Sequence, residues 1–151
     1  MKTKCLCGIL HLSSVLILVT CLFITPSSHS KDKVYSNIEV SRVVSVYDGD
    51  TFRVDIDEWP DIIGKNIGIR VLGIDTPEMK DKNTDKKAKA VAAKHLASDV
   101  IYCAEKIILR NLKRDKYFRI LADVECDGKN LAKIMLDSGL AVEYNGGTKG
   151  K

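Results

Sequence analysis

Asp48-Gly49-Asp50-Thr51, Arg70, Asp75-Thr76-Pro77-Glu78 and Asp115-Lys116-Tyr117-Phe118-Arg119 are the runs of this chain whose residue types could do chemistry. Asp48 and Asp50 are two apart, so on extended backbone their carboxylates lean toward one face. Asp50 and Asp75 fall at the ends of separate predicted strands. Together with a backbone carbonyl they offer a hard cation oxygen ligands and leave positions for water and phosphate. A sparse, flexible, all-oxygen set suits calcium, and ligand type alone leaves magnesium and manganese open.

Each run also has a purely structural reading. Asp48-Gly49-Asp50-Thr51 serves as a hairpin turn. Arg70 sits in the apolar stretch Ile69–Ile74 and needs an anion, either a structural partner such as Asp75 or a phosphate. Asp75-Thr76-Pro77-Glu78 reads as a helix start, with proline in the first turn and an acid near the positive end. The combination of the runs, rather than any one of them, favours a site.

The elements that must position these residues follow from periodicity. Ile38–Val46, Thr51–Ile56 and Ile67–Ile74 have strand composition, with Asp57–Lys65 as a loop. A helix is predicted over Asp85–Cys103 from Ala88, Val91, Ala92, Leu96, Val100 and Cys103 at three- and four-residue steps. Lys106–Leu112 and Tyr117–Cys126 form a last strand pair. A short helix follows over Asn130–Ser138, with Gly139 as a left-handed cap. Five short strands dry one face best by curling into a small barrel with helices at its end or side, although order alone also allows an open α+β sheet.

Residues 1–30 have a signal-peptide layout: Lys2 and Lys4, an apolar stretch from Ile9 to Ile24, then Ser28-His29-Ser30 before a cut ahead of Lys31. Val15–Ile24 is shorter than the ~20 residues a spanning helix needs. Export to the medium or a periplasm is therefore expected, with lipid attachment at Cys21 as an alternative. Residues 31–37 read as a flexible segment, 38–145 as one domain and 146–151 as a flexible tail. The formal charge of +4 falls to +2 once Lys2 and Lys4 are removed. Such a balance excludes binding by bulk phosphate neutralisation, so contacts with a polyanion must be local. Only His95 remains beyond the leader, which excludes two-histidine zinc sites and Ser-His-Asp hydrolases. Cys103 and Cys126 flank a candidate hairpin about Lys113-Arg114-Asp115-Lys116. A symmetric register pairs them as a disulfide in an oxidising compartment, the alternative being two buried thiols.

Val46-Tyr47-Asp48-Gly49-Asp50-Thr51, Arg70 five residues before Asp75-Thr76-Pro77-Glu78, and Asp115-Lys116-Tyr117-Phe118-Arg119 together resemble the staphylococcal nuclease signature, in family order. With Gly139-Leu140-Ala141 the resemblance covers about residues 38 to 144. It implies an α+β, mainly β fold: a five-stranded OB-type Greek-key barrel with two or three helices. It also implies a calcium-dependent nuclease that hydrolyses DNA and RNA with low sequence specificity and leaves 3′-phosphates; a monomer is expected, although the sequence leaves a dimer open. Carried onto this chain, it makes Asp50, Asp75 and the Thr76 carbonyl metal ligands, with Asp48 in support. Glu78 becomes the carboxylate that deprotonates or orients water, and Arg70 and Arg119 become the phosphate clamp. Lys116 and Tyr117 would contact a neighbouring phosphate, and Tyr144 would supply a ring near the base.

Three features depart from that pattern: Phe118 where glycine is common, a long Asp57–Lys65 segment, and a short tail after Tyr144. The rival reading is a non-catalytic OB-fold module that holds nucleic acid without cutting it. A second rival is a calcium-stabilised structural protein. The acids Asp50, Asp75 and Glu78 count against the first, since a pure binder has no reason to keep carboxylates beside a polyanion, and the two arginines count against the second.

Overall fold

In the computed structural model, which describes residues 37–115 and 117–146, the chain runs through short, regularly alternating strands and three helices. In order they are β1 (Ile38–Glu39), β2 (Arg42–Val46), β3 (Thr51–Asp55), α1 (Asp61–Gly64), β4 (Ile67–Val71) and β5 (Ile74–Asp75). Then come α2 (Thr84–Cys103), β6 (Ile107–Arg114), β7 (Ile120–Cys126), β8 (Lys129–Asn130), α3 (Leu131–Asp137) and β9 (Val142–Glu143). The expected leader with Cys21, residues 31–36, Lys116 and the tail from residue 147 lie outside the described residues. No described helix is long and apolar enough to cross a membrane.

The main sheet has the order β1-β6-β7-β4-β3-β2, with β8 added to β7. Among its pairings only β4–β7 is parallel. β1 and β2 are consecutive in the chain yet stand at opposite ends of that order, so the single strand expected over Ile38–Val46 is instead broken at Val40–Ser41. There Val40 N–H donates to the Ile107 carbonyl (3.0 Å) and Ser41 N–H to that of Asp55 (2.9 Å). One bent segment thus serves both sheet edges, which requires the sheet to curl and leaves few open backbone groups. The longer strands β2, β3, β4, β6 and β7 make up the expected five-stranded OB-type fold.

Alternation explains which side chains fill the interior. On β7, Ala122, Val124 and Cys126 are buried and their neighbours are not. On β6, Ile107 and Leu109 point inward, after which a register shift between Arg110 and Lys113, with Asn111 at φ 51°, brings Leu112 inward as well. Phe52, Val54, Ile69 and Val71 come from β3 and β4. Each fully buried aliphatic or aromatic side chain contributes about 1.5–3 kcal/mol relative to exposure.

Helix α2 begins where the Asn83 side chain accepts from the N–H groups of Asp85 and Lys86. Its buried face is Ala90, Ala93, Ala97 and Ile101, not the expected one. Ala88, Val91, Ala92 and Cys103 are exposed, while Leu96 and Val100 lie at the margin. The face is set by tertiary contact: Ala93 meets the β2–β3 reversal at Gly49, and Ala90, Ala97 and Ile101 lie on the same side of the helix. With α3, through Leu131 and Met135, it completes the core. Gly139 has φ 70°, as its capping role requires.

Other boundaries also differ. Asp57–Lys65 contains the helical turn α1 after Pro60. The strand expected over Ile67–Ile74 breaks at Leu72–Gly73, and its last residues leave the main sheet to pair with β9. The strand expected from Tyr117 starts at Ile120, so Tyr117 and Phe118 lie in the turn. That later turn sets Ile107 opposite Cys126, and Cys103 stays at the end of α2. Both cysteines are free thiols, Cys103 exposed and Cys126 buried. Burial, with Asp127 nearby, pushes the Cys126 thiol up to about 11.

Candidate functional site

The β2–β3 connection is a tight reversal in which Tyr47 and Asp48 both donate their N–H to the Thr51 carbonyl (2.9 and 3.2 Å). Gly49 needs no left-handed backbone here. It is required for space: a Cβ at this position would lie 2.8 Å from the Ala93 Cβ and 2.9 Å from the Thr76 Cγ2. The reversal is therefore pressed against α2 and against the segment after β5. Asp50 follows at 2% exposure.

A buried carboxylate is costly unless fully partnered, and Asp50 is. Its Oδ1 accepts from Thr51 Oγ1 (2.8 Å) and Arg70 Nη1 (2.7 Å), and its Oδ2 from the Thr76 N–H (2.9 Å). The antiparallel register that sets Thr51 opposite Arg70 delivers the arginine. Its other terminal nitrogen, Nη2, donates to Asp75 Oδ1 (2.8 Å) on β5 and approaches the Ile74 carbonyl at 3.5 Å. One guanidinium thus bridges two carboxylates from separate strand ends. Asp48 Oδ1 accepts the Asp50 N–H (3.2 Å), and the Tyr144 ring centroid lies 6.0 Å from the Arg70 guanidinium carbon. Tyr144 is brought there by its N–H bond to the Gly73 carbonyl (2.9 Å) and by the β5–β9 pairing before it.

The electrostatics match this crowding. Burial first, and then the charge of Asp50, push the Asp48 carboxyl up to about 6. For Arg70, burial works against the cation, but Asp50 and Asp75 outweigh it and raise its pKa. Three carboxylates therefore face one guanidinium. Among the described residues no group of three or more acids, histidines or cysteines forms a ready cage for an ion. The donor set still fits a hard cation that takes two carboxylates and fills its remaining positions from backbone, water or substrate oxygen.

Both structural readings of the acidic runs can now be placed. Asp48–Asp50 is a turn as well as the carrier of Asp50, and Arg70 is a structural ion pair with Asp75 as well as with Asp50. Asp75-Thr76-Pro77-Glu78 does not start α2, because Asn83 does. Glu78 lies on the β5–α2 connection, exposed, and its carbonyl accepts from the Asp81 N–H (3.0 Å).

Arg119 comes from the β6–β7 tip, next to β4 through the parallel register. A Cβ on Gly68 would lie 3.0 Å from the Arg119 Cγ, so the arginine lies over the bare backbone of β4, two residues before Arg70. Asp115 holds it through Nε (2.8 Å) and Nη2 (2.6 Å), and the Tyr117 ring centroid is 5.3 Å from its guanidinium carbon. Lys116, expected to touch substrate, lies outside the described residues. Sequence reasoning gave Asp115 no role, although its four-residue spacing from Arg119 was visible. It also missed the demand for space at Gly49, which has no signal in one sequence.

Residues 68–150 match the family described as Staphylococcal nuclease homologue. The match begins downstream of Asp48–Asp50, which the β3–β4 register ties to Arg70. The chain is 30% identical over 143 residues to the Thermonuclease of Staphylococcus hyicus, covering 90% of this chain and 76% of that protein. It is 31% identical over 119 residues to Endonuclease YncB of Bacillus subtilis (strain 168), covering 78% of this chain and 52% of that protein. This chain thus spans about half the length of that second relative.

Proposed function

The chain belongs to the staphylococcal nuclease family and is a nuclease, and from that premise we propose that it is a secreted or periplasmic, calcium-dependent phosphodiesterase acting on DNA and RNA. Residues 1–30 would be its leader and 38–145 its working domain. Low sequence specificity and 3′-phosphate products belong to the same reading. The observation that carries it is the bridge from Asp50 through Arg70 to Asp75, which puts two carboxylates and a guanidinium at one spot.

In this reading Asp50, Asp75 and the Thr76 carbonyl hold the cation, and Asp48 supports Asp50 through its N–H. When bound, the cation supplies positive charge against the developing charge on phosphorus-bound oxygen. Arg70 and Arg119 present planar pairs of donors to the non-bridging oxygens, a geometry lysine does not reproduce. Both terminal nitrogens of Arg70 donate to Asp50 and Asp75, so this arginine would have to give up part of that bridge to present paired donors to phosphate. Glu78 takes the proton of the attacking water at a carboxylate oxygen, or orients that water for in-line attack. Lys116 and Tyr117 contact the next phosphate, and Tyr144 flanks the base.

The test is hydrolysis of single-stranded DNA with calcium and with chelator, beside a Glu78→Gln protein of confirmed fold. We expect cleavage in calcium alone, and a loss in Glu78→Gln of at least the hundredfold common for a positioned acid–base group. A folded protein that binds DNA yet cuts neither DNA nor RNA with calcium, magnesium or manganese would instead be the binding module.

A further inference from the structure

Resting on the nuclease reading, we propose that a cleft of about 450 Å³ beyond Arg119 is a subsite that stacks a nucleobase of the single-stranded substrate. It lies between the Trp59–Asn66 segment and the β6–β7 tip, with Ile67, Gly68 and Ile120 also lining it. Both flanks are where this chain departs from its family's usual pattern. One carries α1 within the long loop, and the other carries Phe118.

Three observations select the occupant. Ile62 and Phe118 line the cleft at 92% and 76% exposure, an unusual outlay of apolar surface beside a cleft. Arg53 and Arg114 line it too, Arg114 standing 4.9 Å over the Phe118 ring, and no acidic side chain lines it among the described residues. Arg119 belongs both to this cleft and to the candidate catalytic residues, so a strand bound at one continues into the other. Flat apolar surfaces interleaved with arginine are what an unpaired strand of nucleic acid binds, since every base has a stacking face and every linkage a negative charge. Phe118 holds φ 61°, a left-handed backbone that side chains seldom adopt, and its ring is thereby displayed at the tip.

Trp59 lines the cleft and is the chain's single tryptophan, so its emission reports on this place alone. A labelled oligothymidylate is titrated in chelator, with its anisotropy and the Trp59 emission read together. We expect the emission to change in step with anisotropy. Ile62→Asp and Phe118→Gly, both surface changes, should weaken binding about tenfold, the scale of one lost stacked base. In calcium, KM on the same oligomer should rise by that factor while kcat stays within about twofold. Anisotropy that saturates with Trp59 emission and both variants' affinities unaltered would overturn the subsite and leave the nuclease reading standing. An emission change that follows protein concentration without DNA would also overturn it, as self-association. Binding that perturbs Trp59 with no hydrolysis in any divalent cation would keep the subsite and sink the nuclease reading.

Discussion

Arg70 and Arg119 both rest on carboxylates, but in surroundings of opposite kind. Arg70 is locked between acids from two strand ends, one almost wholly buried, at a reversal packed so tightly on α2 that Gly49 has no room for a methyl group. Arg119 is held by Asp115 four residues away, at a hairpin tip with exposed aromatic rings. The first region is fixed by ion pairs between distant segments; at the second the ion pair is local, and the stem of Arg119 meets a distant strand at Gly68. A rigid pole suits the geometry a cation imposes, whereas a looser pole can follow a polymer whose backbone varies.

Replacing the two arginines separately tests that contrast most sharply. Arg70→Ala and Arg119→Ala should each lower kcat by about 10²–10³, as when one preorganised donor is lost. Arg70→Ala should also cost about 3 kcal/mol of stability in chelator, because Asp50 is left buried without its cationic partner, and calcium should restore part of it. Arg119→Ala should cost under about 1 kcal/mol. Equal losses in urea unfolding would erase the distinction between the regions.

Gly49→Ala comes next. Forcing a methyl group into a space bounded by Ala93 and Thr76 should cost about 1–3 kcal/mol, read by thermal unfolding, and weaken calcium binding in parallel. Unaltered stability would mean that the reversal can move off α2.

The third prediction concerns pH. A carboxyl raised to about 6 holds its proton more tightly in the folded chain than in the unfolded one. Asp48 therefore favours the fold below its ordinary 3.8, and that contribution is lost as pH rises through about 6. In chelator, the wild type should lose stability relative to Asp48→Asn across that window. A difference that stays constant with pH would show that the Asp48 carboxyl titrates alike in the folded and unfolded chain.

The smallest effect is expected at the looser pole. Phe118→Gly relieves a left-handed backbone but frees the unfolded chain, so stability should rise by no more than about 1 kcal/mol. A clear loss in urea unfolding would mean that the Phe118 ring organises the tip.

The same contrast governs how much could be read in advance. Asp50 and Asp75 do stand at the ends of separate strands and Asp48 does flank the turn before β3, because alternation and turn chemistry are local signals; that Arg70 bridges the two acids depends on the β3–β4 register. The five longer strands, and the helix expected over Asp85–Cys103 and found at Thr84–Cys103, were legible from the same local signals. The buried face of α2 was not, since alanines stand on both candidate faces, and what selects between them is the approach of Ala93 to Gly49. Nor was the register of β6 and β7. It depends on the shift between Arg110 and Lys113 and on a turn that absorbs Tyr117 and Phe118, and these moved Cys126 away from Cys103.

Asp75 stands on a strand of two residues whose only ladder partner in the described sheets is Val142–Glu143, far downstream. Contacts between distant segments form late in folding, because the intervening chain must first be ordered. So short a ladder also opens more readily than the barrel it borders. Hydrolytic competence would thus be the last property this chain acquires as it folds and the first to lapse when it loosens, giving an unfinished chain a built-in delay before it can cut.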